Sequence, residues 1–553
     1  MTTIARPRVA LFVVTVLIYM ATMEFSYLGL LNWGQDATVP KPLLKSHLMK
    51  PPVNPLLIEP DAVQPCLPNE PLVIDQVTYP KYMEIVVLNR DRRYRRGDVL
   101  TVRVVARDKK RRPKTYGGDF FRARLISGDR SPKASSAGLV TDHCNGTYTV
   151  QFPLYWVGNV SIRIQLVHPS EAVNVLQKVR EIPNKRLFYC TFVDFQTKAT
   201  EKRECYISAN PSLSPHQLCD FSKQKANGTW ICQKTEKLLC SSIELCHWDG
   251  DESRRRAAGL LSKKEKALFQ KPYIEAELDS KEAIRVLDPE GPTPQQLPPC
   301  TMNARESQAS FGTSLGHWSG KVWKSSACNV RVFTKEDIRR CLANKSVYMK
   351  GDSTIRQWYL QLQEVVPLKA TTDSDPAFDR RGDNSEGNIS VRQEFHGFPR
   401  PGSHQVVFNH ARYTVEMVDS IQGGPNTIIA VGLWAHFTAE PLDVFRSRIY
   451  AIRCAIHRLM RRSPGTRVFV RTGTTREHEG GKLWYYLLGS DWLAYQITEV
   501  IREMFRADPD VVVLDTWDMS VCQPGKDAIH PDQAMVDSQL NMMLSHICPD
   551  LEL

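Results

Sequence analysis

No two of the fourteen cysteines stand in a CxxC pair. The paired knuckles that hold many structural zinc ions are therefore missing, and no metal is expected. No internal repeat is visible, and no nucleic-acid module is recognised. Nucleic acid is accordingly not an expected partner. Beyond residue 31 no stretch is long and apolar enough to span a bilayer. Global disorder is excluded as well, because 42% of the residues are hydrophobic and only 24% are charged.

What is present points to a lumenal chain of several domains. At 553 residues the chain exceeds one ordinary domain. Arg6 and Arg8 precede an uncharged, mostly apolar run from Val9 to Met23, and Phe25 to Leu31 is apolar again after Glu24. Residues 1–33 are read as a signal anchor or a signal peptide. The anchor is favoured because no small-x-small cleavage site follows the run. Positive charge before the run keeps the N-terminus cytosolic, giving a single-pass type II protein of the Golgi lumen, or a secreted one if the segment is cleaved. Membrane contact is expected only through that segment. Sequons at Asn145, Asn159, Asn227, Asn344 and Asn388 agree with this compartment. An even cysteine count there implies disulfides. Cys190, Cys205, Cys219, Cys232, Cys240 and Cys246 crowd one segment, a stapled unit whose connectivity six cysteines leave open among fifteen pairings. The net charge of +12 gathers in short runs, such as Arg90 to Arg96 and Lys109 to Lys114. Solvated loops are the favoured reading of these runs, ahead of attraction to polyanions.

Composition shifts divide the rest. Residues 34–72 are rich in proline and read as a semi-extended stalk. Residues 73–180 hold short β-rich runs, among them Val99–Val105 and Val160–Val167, separated by turns such as Gly97-Asp98. That spacing predicts an all-β, immunoglobulin-like sandwich. Residues 181–299 are read as the Cys-rich segment and a linker. From 300 to 553 strands alternate with helices. Ser346–Lys350, Thr427–Val431, Arg467–Arg471 and Val511–Asp515 read as strands. Ser353 to Val365, Pro441 to Met460 and Trp492 to Phe505 have helical spacing. The pattern predicts an α/β domain with a parallel sheet flanked by helices.

Two stretches in that domain carry chemistry. Gly351-Asp352-Ser353 stands where a strand hands over to a helix, at the end of a sheet where ligands bind. A helix start also offers backbone donors to a developing oxyanion. Asp527-Ala528-Ile529-His530 supplies a base and a carboxylate to orient it. Ser353, His530 and Asp527 are the expected catalytic set.

The segment GDST with Arg356 and Trp358, and the terminal DAIHPD, resemble the PC-esterase branch of the SGNH/GDSL superfamily. Upstream, HCNGTY at 143–148 and VHPSEAV at 167–173 resemble the neurexophilin-like β-domain. In this order they resemble the neurexophilin and PC-esterase domain (NXPE) family. The resemblance implies an SGNH-hydrolase-like fold and O-acetyl transfer to a glycan or glycoprotein, with sialylated or other acidic glycans as acceptor and acetyl-CoA as donor; no bound cofactor is implied. O-acetyl ester hydrolysis is the close alternative. The other is an inactive protein whose β-domain binds a cell-surface partner. One departure keeps that last reading open: the asparagine that the superfamily's third motif places in the oxyanion hole is absent from Gly432-Leu433-Trp434-Ala435-His436. Gly432 and His436 are the oxyanion candidates there, with a packed core histidine as the plainer reading of His436. Gly397 is the candidate second-motif glycine or a turn glycine. Arg356 binds a substrate anion or pairs with a nearby carboxylate. Trp358 is read as core.

Overall fold

The computed structural model describes residues 66–68, 71–128, 133–210, 212–290, 297–301, 316–371, 379–402, 405–477, 482–506, 508–523 and 525–551. The expected N-terminal segment and most of the stalk lie outside them. Among the described residues no helix is long and apolar enough to cross a membrane.

Strict alternation builds the first part. Along Val99–Val105 the side chains of Leu100, Val102 and Val104 are buried and those between face outward. This strand sits in a four-stranded antiparallel sheet with Glu84–Val87, Thr147–Pro153 and Leu139–Asp142. A second sheet centres on Phe120–Ser127 and Gly158–His168. The inner faces share one core, with Val102, Val150 and Phe152 on one side and Leu125, Ile162 and Ile164 on the other. The second sheet also takes in Ala276–Leu287, from the span read as Cys-rich segment and linker, and Gly316–Ser319 with Val322–Ser325, from beyond residue 300. The expected boundary at 299 therefore falls between strands of one sheet. Proline and charge suggested a linker, but Leu278 and Val286 of the added strand are buried in the shared core.

The six crowded cysteines staple another sheet. Cys190 and Cys246 are bonded directly across a strand pair, and so are Cys205 and Cys232. Cys219 bonds to Cys240. Cys66–Cys144, Cys300–Cys328 and Cys341–Cys548 complete the described disulfides, while Cys454 and Cys522 are free thiols. This many disulfides mark a secretory or extracellular protein.

The last part is a mixed sheet between helices. Ile389–Phe395, Ser346–Gly351, Thr427–Gly432, Arg467–Arg471 and Val511–Leu514 lie side by side in that order and run parallel. Asp379–Asn384 and Lys369–Ala370 add an antiparallel edge. Thr427–Gly432 is buried throughout because it is covered on both faces. Ile429 and Val431 pack with Ile449, Ile452 and Ile497 of the helices Leu442–Arg462 and Asp491–Phe505. Ile428 and Ala430 point the other way, to Ile355 and Leu362 of Ser353–Val365 and to Leu540 and Leu544 of Gln533–Ile547. The sheet's strand order turns at Ser346–Gly351, and in open sheets of this kind ligands bind at such a turning point, outside the strand's carboxyl end.

Candidate active site

Gly351 ends the central strand at φ +153, and a Cβ there would stand 2.0 Å from the carbonyl oxygen of Gly432. Only glycine fits. The next amide, of Asp352, donates to that same carbonyl at 3.2 Å. The Asp352 side chain then caps the helix Ser353–Val365 by accepting from the Thr354 amide. These contacts hold Ser353 at the first helical position. Gly351→Ala is expected to lower stability by more than about 2 kcal/mol, read as a shifted denaturation midpoint, because the methyl group meets backbone rather than a movable side chain.

Asp352 is buried and makes a strut. One carboxylate oxygen accepts from the Thr354 amide at 2.9 Å and its hydroxyl at 2.6 Å; the other accepts from the amides of Trp434 and Ala435 at 3.2 and 2.9 Å. Burial pushes this carboxyl up, but His436, Arg471 and the hydrogen bonds outweigh it and hold Asp352 below the ordinary carboxylate value. The motif's aspartate thus ties the nucleophile turn to the 432–436 loop. Thr354 Oγ1 also accepts from the Trp434 indole at 3.1 Å and from the buried Arg471 guanidinium. Arg471 is brought down to about 10 by burial.

Side chains from two distant stretches of the chain meet above this base. His530 Nε2 lies 2.9 Å from Ser353 Oγ, and His530 Nδ1 lies 3.0 and 3.1 Å from the two oxygens of Asp527. Asp527 also accepts from the amides of Ile529 and His530 at 2.8 and 2.9 Å, which folds the DAIH stretch into a tight turn. Burial works upward on Asp527, yet those two amides and the imidazole hold it net below its ordinary value, so it is anionic at neutral pH. Gln357, one turn along the helix from Ser353, donates to the Pro531 carbonyl at 3.0 Å and pins the turn in place. The ring is oriented by a carboxylate at one nitrogen and faces a hydroxyl with the other. Such an arrangement can draw a proton from the serine as it attacks a carbonyl carbon. The His530 side chain is 28% exposed and that of Asp527 43%, so solvent and substrates can both reach the site.

The other sequence candidates fall around this centre. The amides of Ser353 and Gly397 have no acceptor among the described residues. The His396 amide donates to the Gly351 carbonyl at 2.9 Å, which sets the buried Gly397 beside the nucleophile turn. Gly432 contributes its carbonyl to Asp352 and a side-chain-free surface packed on Ile355. His436 does not bond to Ser353, His530 or Asp527. Its Nδ1 lies 2.7 Å from His396 Nε2, and burial holds both rings neutral, His436 at about 4 and His396 well below its ordinary value. Trp358 is buried, its indole bonded to Gln539 at 2.8 Å. Asn145, Asn159, Asn344 and Asn388 are exposed, whereas Asn227 is half-buried and donates to the Ser447 carbonyl at 2.9 Å. A cavity lined by Leu72, Tyr116, Glu171 and Lys178 among others shares no residue with the constellation.

Sequence reading missed the arginines that reach in from the β-rich part. Arg186, nearly buried, pairs with the buried Glu440 and donates to the His436 carbonyl. Arg122, on Phe120–Ser127, pairs with Asp491 and Glu477 and donates to the Arg476 carbonyl. Arg471 did carry a signal: in RVFVR it follows three apolar residues at the strand's carboxyl end, where ligands bind in such sheets.

Comparison with known families gives two matches. Residues 323–548 match the model described as NXPE family member 4-like, C-terminal domain. Residues 67–256 match the neurexophilin model.

Proposed function

The chain belongs to the NXPE family, joining a neurexophilin domain to that family's C-terminal domain, and from this membership we propose that it is a serine-dependent O-acetyltransferase of glycans. In this reading the C-terminal domain is SGNH-hydrolase-like and the first part an immunoglobulin-like sandwich. The protein works in the Golgi lumen as a type II membrane protein, or is secreted. The observation that carries the reading is the 2.9 Å contact between His530 Nε2 and Ser353 Oγ, with Asp527 behind the ring.

Ser353 Oγ attacks the carbonyl carbon of an acetyl donor, acetyl-CoA being the donor class taken here. Its proton passes to His530 Nε2 while Asp527 accepts from Nδ1–H and stays anionic. The amides of Ser353 and Gly397 stabilise the tetrahedral oxyanion. Collapse expels the thiolate, which takes the proton from His530 and leaves acetyl-Ser353. A sugar hydroxyl then repeats the attack, giving its proton to His530. The acetyl group ends on the sugar, and the proton returns to Ser353.

Hydrolysis is the second reading, favoured by the openness of His530 and Asp527, since water can take the place of the sugar. Product analysis separates the two. Labelled acetyl from the donor appears on a sialylated or other acidic glycan if transfer is right, and as free acetate alone if hydrolysis is right. Neither product from the folded protein would leave the inactive binding protein as the correct reading.

A further inference from the structure

The helix that carries Ser353 presents different groups to the two sides of the nucleophile. Successive helical residues are about 100° apart, so Gln357 stands about 40° to one side of Ser353 and Arg356 about 60° to the other. Gln357 holds the Pro531 carbonyl, and so the His530 turn lies on its flank. Arg356 reaches the opposite flank. Its guanidinium sits 5.3 Å from the ring centroid of Phe395, and the buried Arg400 lies over the same ring at 4.8 Å. Phe395 ends its strand, and the next amide, of His396, bonds to Gly351. An arginine and an aromatic ring therefore border the nucleophile turn across from the imidazole.

Arg356 is half-buried, and its amide donates to the Asp352 carbonyl at 3.3 Å, yet among the described residues its guanidinium makes no ion pair and no hydrogen bond. Burial first, and then the nearby Arg380 charge, press its pKa downward and outweigh the pull of the Asp352 carboxylate, which is not in ion-pair contact with it. A partly desolvated guanidinium next to another cation gains from an anion, and its planar fork of donors matches a carboxylate. On the strand that ends in Phe395, the carboxylate of Glu394 faces other cations, Lys350 at 2.7 Å and Arg412 at 3.9 Å.

Resting on the glycan-acetylation reading, we propose that Arg356 binds the carboxylate of an acidic sugar, so that the acceptor is anchored about one helical turn from the hydroxyl it presents to Ser353. The sequence alone left Arg356 open between anion binding and pairing with a protein carboxylate. The structure favours the first, because no such carboxylate meets it among the described residues.

The test is binding to the full lumenal chain carrying Ser353→Ala, which removes turnover from the readout. Sialyllactose and its carboxylate methyl ester are the probes. The acid is expected to bind at least about tenfold more tightly than the ester, the scale of a charged hydrogen-bonded contact. Adding Arg356→Gln should erase that preference by weakening the acid alone, and Arg356→Lys should restore part of it. Each variant is first checked for a melting temperature near that of the parent. Equal binding of acid and ester to the parent, or a preference that survives Arg356→Gln, overturns the proposal. Should no acetyl ever be transferred while the Ser353→Ala protein still selects the acid through Arg356, the acetylation reading fails and the anion subsite stands.

Discussion

Ser353→Ala is expected to slow the proposed acetyl transfer by about a thousandfold or more, and His530→Ala to do the same. If the two groups act as a unit, as their contact suggests, the double variant will be no slower than the worse of the single ones. Without the hydroxyl there is nothing to acylate, and without the ring nothing 2.9 Å away takes the proton. Asp527→Asn costs less. Its carboxylate is 43% exposed, and water can replace part of what it gives the ring. The measurement is the initial rate of labelled acetyl appearing on glycan, with the variants shown to be folded. A Ser353→Ala protein that acetylates at the wild-type rate removes the enzymatic reading. Losses from Ser353 and His530 that add in the double variant would mean that the contact seen between them is not used.

Arg186→Met produces the largest expected change in stability. The guanidinium is 4% exposed and its partner Glu440 is fully buried. Removing one member of a buried pair leaves the other charged and unpaired, which costs about 3–5 kcal/mol. The loss has a local address, because Arg186 also holds the His436 carbonyl, and His436 meets His396 beside the nucleophile turn. Urea unfolding of Arg186→Met, Glu440→Leu and the double variant gives the coupling. Recovery of most of the loss in the double variant supports the pair as the cause. Independent losses that simply add would show that the pair contributes little and that packing explains each single effect.

How far the sequence reveals this molecule depends on the distance over which each signal acts. The strands Thr427–Gly432 and Arg467–Arg471 and the helix Ser353–Val365 were legible because their cause is local: continuous burial or helical periodicity within one element. Ser353 and the DAIH turn were legible for the same reason, each being a short motif that folds on itself. Ile389–Phe395 was not read as a strand. Arg392 and Glu394 interrupt its apolar run, although it pairs directly with Ser346–Gly351. Val406–Val407 and Gly316–Ser319 are too short for any period to show. Arg186 had no local signal at all, since Glu440 lies 254 residues away. Disulfide pairing was open for the same reason, because cross-strand register decides it.

The sheet that draws strands from three regions of the chain has a consequence for anyone wishing to study one half alone. A fragment stopping near residue 256, where the neurexophilin match ends, would lack Ala276–Leu287. Gly158–His168 would then become a bare margin eleven residues long, its peptide groups ready to recruit the same margin on another molecule. The upstream module is thus borrowed architecture, closed only when the downstream chain has been made. During synthesis it must wait, incomplete, until the ribosome has passed the hairpin Gly316–Ser319 and Val322–Ser325.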